Sequence, residues 1–152
     1  MKWNRKKRIE ELPKLLKEKI LLLDGAMGTM IQAEKLTEED YRGERFKGHK
    51  KSLFGNNDIL SITQPDLISK IHLAFLKSGS SIIETNSFSS TSISQDDYSM
   101  SDLAYELNLQ SAKIARGICD EYEKQFSKEP KFVAGAIGPT NKTTSLSPDV
   151  AD

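Results

Sequence analysis

Cysteine is almost missing from this sequence: Cys119 is the one thiol in 152 residues. That excludes an intrachain disulfide framework and a zinc site built from this chain's own cysteines. An excess of one charge is also missing, since Lys plus Arg and Asp plus Glu number 22 each and the pI is near 6.7. No global field recruits nucleic acid or an anionic membrane. The basic clusters Lys2, Arg5, Lys6, Lys7, Arg8 and His49, Lys50, Lys51 come without an aromatic ladder, and read as a solvated terminus and a loop. Long apolar runs are absent: Ile20 to Leu23 is too short to span a bilayer, and the N-terminus lacks a signal peptide's apolar region. The reading is a cytoplasmic chain with neither nucleic-acid nor membrane partners. The sequon Asn141-Lys142-Thr143 carries no weight without a secretory signal.

What is present is an alternation of apolar runs and amphipathic stretches. Ile9, Leu12, Leu15 and Leu16 fall at helical spacing, with Pro13 predicting a short helix that starts near it. Ile20 to Leu23, without polar alternation, predicts a strand buried on both faces. Residues 37–58 are polar with three glycines and read as a long loop. In "TQPDLISKIHLAFLKSG", Pro65 suits a first helical turn, Asp66 its positive end and Gly79 its stop. Leu67, Ile71, Ala74 and Phe75 form the expected buried stripe, with His72 one position off it as a structural or surface histidine. "SIIETNSF" predicts a second strand, 87–102 a Ser/Thr-rich loop, and Leu103 to Phe126 a helix with Leu107, Ile114, Ile118 and Tyr122 on one face. Cys119 adjoins that face and is expected to pack. Phe132 to Ile137 predicts a third strand, opening into Gly138-Pro139-Thr140-Asn141 with no helix after it.

The order is strand, helix, strand, helix, strand: an α/β chain of about three parallel units. Alone, such a sheet keeps two apolar edges and an uncovered face, so it reads as part of a larger doubly wound sheet or eight-fold barrel. A whole barrel takes about 250 residues. Residues 1–19 are then an N-terminal extension with its helix, and 20–152 an incomplete barrel domain.

Parallel strands place all their carboxyl ends on one side, where sites form. Asp24, Glu84 with Asn86, and Thr140 with Asn141 are therefore expected to converge. With adjacent strands about 4.8 Å apart, Asp24 and Glu84 face one small ligand if their strands pair. Three chemistries compete for these acids: a general acid and base, a hard cation such as magnesium, or a ligand's ammonium group. The ammonium reading suits the adjacent turn, where free N–H groups of Gly25, Ala26 and Met27 receive a carboxylate, so that a zwitterionic amino acid satisfies both. The plainer alternative has Asp24 capping its own turn. Gly25-x-x-Gly28-Thr29 matches neither a Walker loop nor the dinucleotide fingerprint.

Taken together, "LLLDGAMGTMIQ", "YRGERF", "GNNDIL", "IIETNSF" and "VAGAIGPTNKTTSLSPDV" closely resemble, in order, the N-terminal homocysteine-binding region of the cobalamin-dependent methionine synthases. The likeness runs from about Ile20 to Asp152. It implies an N-terminal part of a (βα)8 TIM barrel that binds homocysteine, with zinc making the substrate sulfur a thiolate. It further implies a methyl group from methylcobalamin, which 5-methyltetrahydrofolate recharges through later domains. Asp24, Gly25 and Ala26 match positions that hold the amino-acid head; Glu84, Thr85 and Asn86 match the second strand's end in the same pocket. The family's zinc is held by three cysteines from later strands, so no metal ligand is expected here. No catalytic residue is assigned. The expectation is a methyltransferase piece that carries the amino-acid half of the site and is inactive alone. The other readings left open are a barrel enzyme that uses Asp24 and Glu84 as acid and base or metal ligands, and another homocysteine S-methyltransferase.

Overall fold

The computed structural model describes residues 3–127, 129–140 and 142. Lys2 of the basic cluster, Asn141 of the sequon and of the third strand's exit, and the motif from Thr143 onward lie outside the described residues.

The first helix, α1 (Arg5–Glu18), starts earlier than Pro13 and runs through it. Asn4 caps it, its side-chain oxygen accepting from the Lys7 N–H at 2.9 Å. Pro13 removes one backbone donor, but it lies on the exposed face, where water can serve the carbonyl left without it. Arg8 anchors the helix to the rest of the fold. Its guanidinium reaches Asp120 at 2.7 Å and Glu123 at 2.6 Å, tying α1 to the long helix later in the chain.

Residues 20–24 run alongside a short strand, β1 (Ile82–Glu84). The Asp24 N–H donates to the Ile82 carbonyl at 3.0 Å, and the Ser81 and Ile82 N–H groups reach the Leu22 carbonyl, giving one parallel bridge, Leu23 to Ile82. On its other side β1 pairs in parallel with β2 (Phe132–Ala134), in the register Ile82 to Phe132 and Glu84 to Ala134. Three parallel extended segments therefore lie side by side as expected. The expectation that the first is buried on both faces fails, however: Ile20 is 87% exposed, and Leu22 and Leu23 are exposed as well. β1 pairs with one edge of this segment, and within Ile20–Leu23 Leu21 is the half-buried side chain while the other three are exposed. Ile137, just past β2, is likewise 85% exposed.

The segment 37–58 is not a plain loop. After α2 (Met27–Ala33), Thr37 and Asp40 form a reciprocal capping box at the start of α3 (Glu38–Arg42). The Glu38 carboxylate accepts from the Leu53 and Phe54 N–H groups, at 2.9 and 2.8 Å. These bonds fold the polar stretch onto itself and carry Tyr41 and Leu53 into the core. A 3-10 turn (Asn57–Ile59) leads into α4 (Leu60–Thr63), then α5 (Pro65–Lys77) with Pro65 in its first turn. The buried positions of α5 are Ile68, Ile71, His72 and Leu76, with Leu67 and Phe75 half-buried and Ala74 exposed. The stripe is rotated relative to the sequence reading because α5 is packed against both the long helix and β1.

The Ser/Thr-rich stretch 87–102 also holds structure: α6 (Ser92–Asp96), capped by Thr91, and a 3-10 turn (Ser101–Leu103). In α7 (Ala104–Phe126) the fully buried line is Leu107, Ser111, Ala115 and Cys119, each four residues from the last, so small side chains let α5 approach. Ile114, Ile118 and Tyr122 flank that line, packed against the core. One apolar cluster joins Ile31, Tyr41, Ile59, Leu60, Ile68, Ile71 and Leu107; a second joins Leu76, Ile83, Ala115 and Cys119 beneath the strands. Each fully buried aliphatic side chain contributes about 1.5–3 kcal/mol to this packing. Among the described residues no helix is long and apolar enough to cross a membrane.

Candidate functional site

At the carboxyl end of the parallel segments lies a cavity of about 670 Å3. Asp24, Gly25, Ala26, Glu84, Thr85 and Asn86 all line it. The turn that carries the first three is strained: Ala26 takes the left-handed conformation at φ 51° with no side-chain cap on α2. A non-glycine residue there costs on the order of 1 kcal/mol. The gain is geometric. The chain leaves the sheet and enters α2 at once, and among the described residues nothing accepts from the N–H groups of Gly25, Ala26 or Met27. Those donors, at the positive end of α2, stand beside the Asp24 carboxylate.

Asp24 itself caps neither the turn nor α2. Its Oδ1 accepts from the Glu84 N–H on the neighbouring strand at 2.8 Å, so the side chain crosses from one parallel segment to the next. Its side chain is almost buried, and Oδ2 faces Nδ1 of His72 at 4.0 Å. Burial is the largest influence on its carboxyl group and pushes the pKa up to about 6, with the negative Glu84 adding to the rise and the Glu84 N–H opposing it. A carboxylate held this way is destabilised by the lack of a counter-charge. A bound cation supplies one.

Thr85 and Asn86 are occupied with the scaffold. Thr85 Oγ1 accepts from the Ala136 N–H at 3.0 Å and pairs with Ser87 Oγ at 2.6 Å, locking β1 to the exit of β2. The Asn86 amide donates to the Asn57 carbonyl at 2.8 Å and to Ser61 Oγ at 3.2 Å. Beyond β2, the Gly138 N–H donates to the Phe88 carbonyl at 2.8 Å. A Cβ at Gly138 would lie 2.7 Å from that oxygen and 2.5 Å from the Phe88 ring, so only glycine permits this approach. Pro139 beside it lines the cavity. Thr140 accepts from the Lys142 N–H at 3.3 Å and is not among the lining residues.

The opposite wall was not legible as a site. Asn56, Asn57 and Asp58 come from "GNNDIL", and Ser89, Ser94, Asp97 and Tyr98 from the Ser/Thr-rich stretch. Asp58 is buried and accepts from the Ser89 N–H at 2.9 Å and Ser90 Oγ at 2.7 Å; burial pushes its carboxyl above the usual range. Asn56 and Gln95 exchange amide hydrogen bonds at 2.9 and 3.2 Å. The available signal was three polar residues placed directly before the buried Ile59 and Leu60.

Among the described residues no three His, Cys, Asp or Glu side chains are grouped so as to hold a metal ion. Cys119 is buried in α7, its thiol 4.0 Å from the Phe132 carbonyl, and burial pushes its pKa up to about 12. That is a packing thiol, not a zinc ligand. The described residues therefore do not fit the zinc that the sequence resemblance implies.

Solved structures that share this fold include two of one enzyme. The homocysteine methyltransferase MmuM from Escherichia coli, in its oxidized form, matches with a TM-score of 0.66 and 25% identity over 84% of this chain. Its metallated form matches with a TM-score of 0.65 and 24% identity, again over 84% of this chain. This chain spans 40% and 41% of the length of those two. Residues 21–152 match the profile of the homocysteine S-methyltransferases, and the chain belongs to that family.

Proposed function

We propose that this chain carries the amino-acid-recognising part of a cobalamin-dependent methionine synthase, with the described strands forming the first units of a (βα)8 barrel whose domain begins near residue 20. The observation that carries the reading is the pairing of a nearly buried Asp24 carboxylate with the unpaired N–H groups of Gly25, Ala26 and Met27 on one cavity wall. Homocysteine presents an ammonium and a carboxylate on one carbon. The ammonium would relieve the burial that raises the Asp24 carboxyl group, and the carboxylate would take the turn's donors. Glu84 lines the same cavity and adds negative potential beside the ammonium. Thr85 and Asn86 set the shape of this wall through the bonds described above.

The Gly138-Pro139-Thr140-Asn141 stretch and the "RGERF" loop favour the cobalamin-dependent enzyme over the betaine-dependent and other homocysteine methyltransferases. In that enzyme zinc supplies a thiolate at the substrate sulfur and cobalamin, recharged by 5-methyltetrahydrofolate, supplies the methyl group. Among the described residues no three His, Cys, Asp or Glu side chains group as a metal site; the work proposed for this part is binding and orientation, and the 152-residue chain alone is expected to be inactive. The cytoplasm is the expected location.

The test is Asp24→Asn in the full-length protein. Homocysteine affinity falls about tenfold or more, as for a lost charge-assisted hydrogen bond, while 4-mercaptobutanoate, which lacks the amine, binds as before. A second reading draws on the same raised carboxyl group, since a pKa near 6 also suits a general base. It predicts that Asp24→Asn abolishes turnover with substrate affinity intact.

A further inference from the structure

His72 is the most deeply buried ionisable side chain that the reading above leaves without a task. It lies on α5 at 0% exposure, and neither ring nitrogen has a hydrogen-bond partner. An unsatisfied polar group in a core costs about 1–3 kcal/mol, and an aliphatic residue between Ile71 and Leu76 would avoid that cost. Its neighbours explain the placement. Nδ1 stands 4.0 Å from Asp24 Oδ2, while Asp24 Oδ1 is already held by the Glu84 N–H at 2.8 Å. α5 packs directly against β1, so the imidazole approaches the carboxylate from the core side while Gly25 and Ala26 stand on the cavity side.

We propose that His72 is a positioning residue for the amino-acid site: its neutral imidazole, protonated at Nδ1, holds Oδ2 of Asp24 from behind and fixes the carboxylate toward the ligand's ammonium. This deepens the reading of Asp24 as the ammonium partner and rests on it. The ring stays neutral because burial depresses its pKa to about 4, so the hydrogen bond it would donate leaves intact the charge that the ligand meets. At 4.0 Å the contact is open. The proposal has it shorten to hydrogen-bond distance when the ligand engages, as site hydrogen bonds often tighten on substrate binding. Glu84 on β1 and His72 on α5 are the ionisable neighbours of Asp24 among the described residues.

The test uses the full-length protein and two probes, homocysteine and 4-mercaptobutanoate. His72→Leu removes the donor and is expected to lower homocysteine affinity about five- to tenfold with the deaminated probe unchanged. His72→Asn, whose amide nitrogen overlays Nδ1, restores it to within about twofold of the parent. Equal homocysteine affinity in parent and His72→Leu overturns the proposal. So does equal loss for both probes in His72→Leu that His72→Asn fails to rescue. The Asp24→Asn variant keeps the two claims apart: if it leaves homocysteine binding untouched, the ammonium reading itself has failed. Should His72→Leu not fold, the 15N spectrum of the unmutated protein with homocysteine bound decides. A neutral ring protonated at Nδ1 supports the proposal, and one protonated at Nε2 overturns it.

Discussion

Asp24 shows how one side chain trades stability for recognition. Its carboxyl group titrates near 6 in the folded chain against an ordinary value of 3.8, so the folded state prefers the protonated form. The sign follows: its contribution to stability grows as pH falls from about 6 towards 4, the reverse of a salt-bridged carboxylate. Asp24→Asn, which keeps the acceptor for the Glu84 N–H, should raise the melting midpoint at pH 7 by on the order of a few degrees while weakening ligand binding. A lowered midpoint in thermal unfolding would show that the charge is compensated. Homocysteine affinity should also weaken as pH drops below about 6, measured by titration calorimetry, because protonated Asp24 no longer pairs with an ammonium. The sequence placed Asp24 at the end of an apolar run beside two glycines, which was enough to mark it. It marked His72 as a structural or surface histidine but did not show the Asp24 neighbour, which is 48 positions away and is met only when α5 lies under β1.

At the level of elements, local signals were legible wherever the chain's neighbours in sequence are also its neighbours in space. Pro65, Asp66 and Gly79 bounded α5 well. Pro13 did not bound α1, because the anchor is tertiary: Arg8 reaches two carboxylates of α7. Replacing Arg8 with alanine should therefore loosen α1 as a unit, seen as faster amide exchange across Arg5–Glu18 with α7 unchanged. Unchanged protection would mean that apolar contacts such as Leu15 hold the helix alone. The segment 37–58 read as a loop for the same reason in reverse, since the bonds from Glu38 to residues 53 and 54 have no sequence period. Beyond β2, Gly138→Ala should cost roughly 1–3 kcal/mol by denaturant unfolding, as the new methyl group meets the Phe88 carbonyl and ring. A change below about 0.5 kcal/mol would show that the 88 loop yields freely.

At the scale of the molecule, the described elements cover the three parallel segments unevenly. α5 and α7 cover Ile83 and Val133, whereas Ile20, Leu22, Leu23 and Ile137 remain in contact with solvent. An apolar strip beside unpaired strand edges favours association. The isolated 152-residue chain should accordingly bind an apolar-surface dye and sediment above monomer mass; a dye-silent monomer would show that this surface is closed in solution. The sequence conveyed the alternation of strands and helices and the end of the sheet where polar residues gather. It did not convey the far wall of the cavity, since Asp58 and Ser89 meet only through the fold.

The central claim concerns which ligand atoms meet which wall, and a crystal structure of the full-length protein with homocysteine bound tests it most directly. The account predicts the amino nitrogen within hydrogen-bond distance of the Asp24 carboxylate and the ligand carboxylate on the N–H groups of Gly25 to Met27. Homocysteine bound with its carboxylate turned away from that turn, or lying outside this cavity, would contradict it.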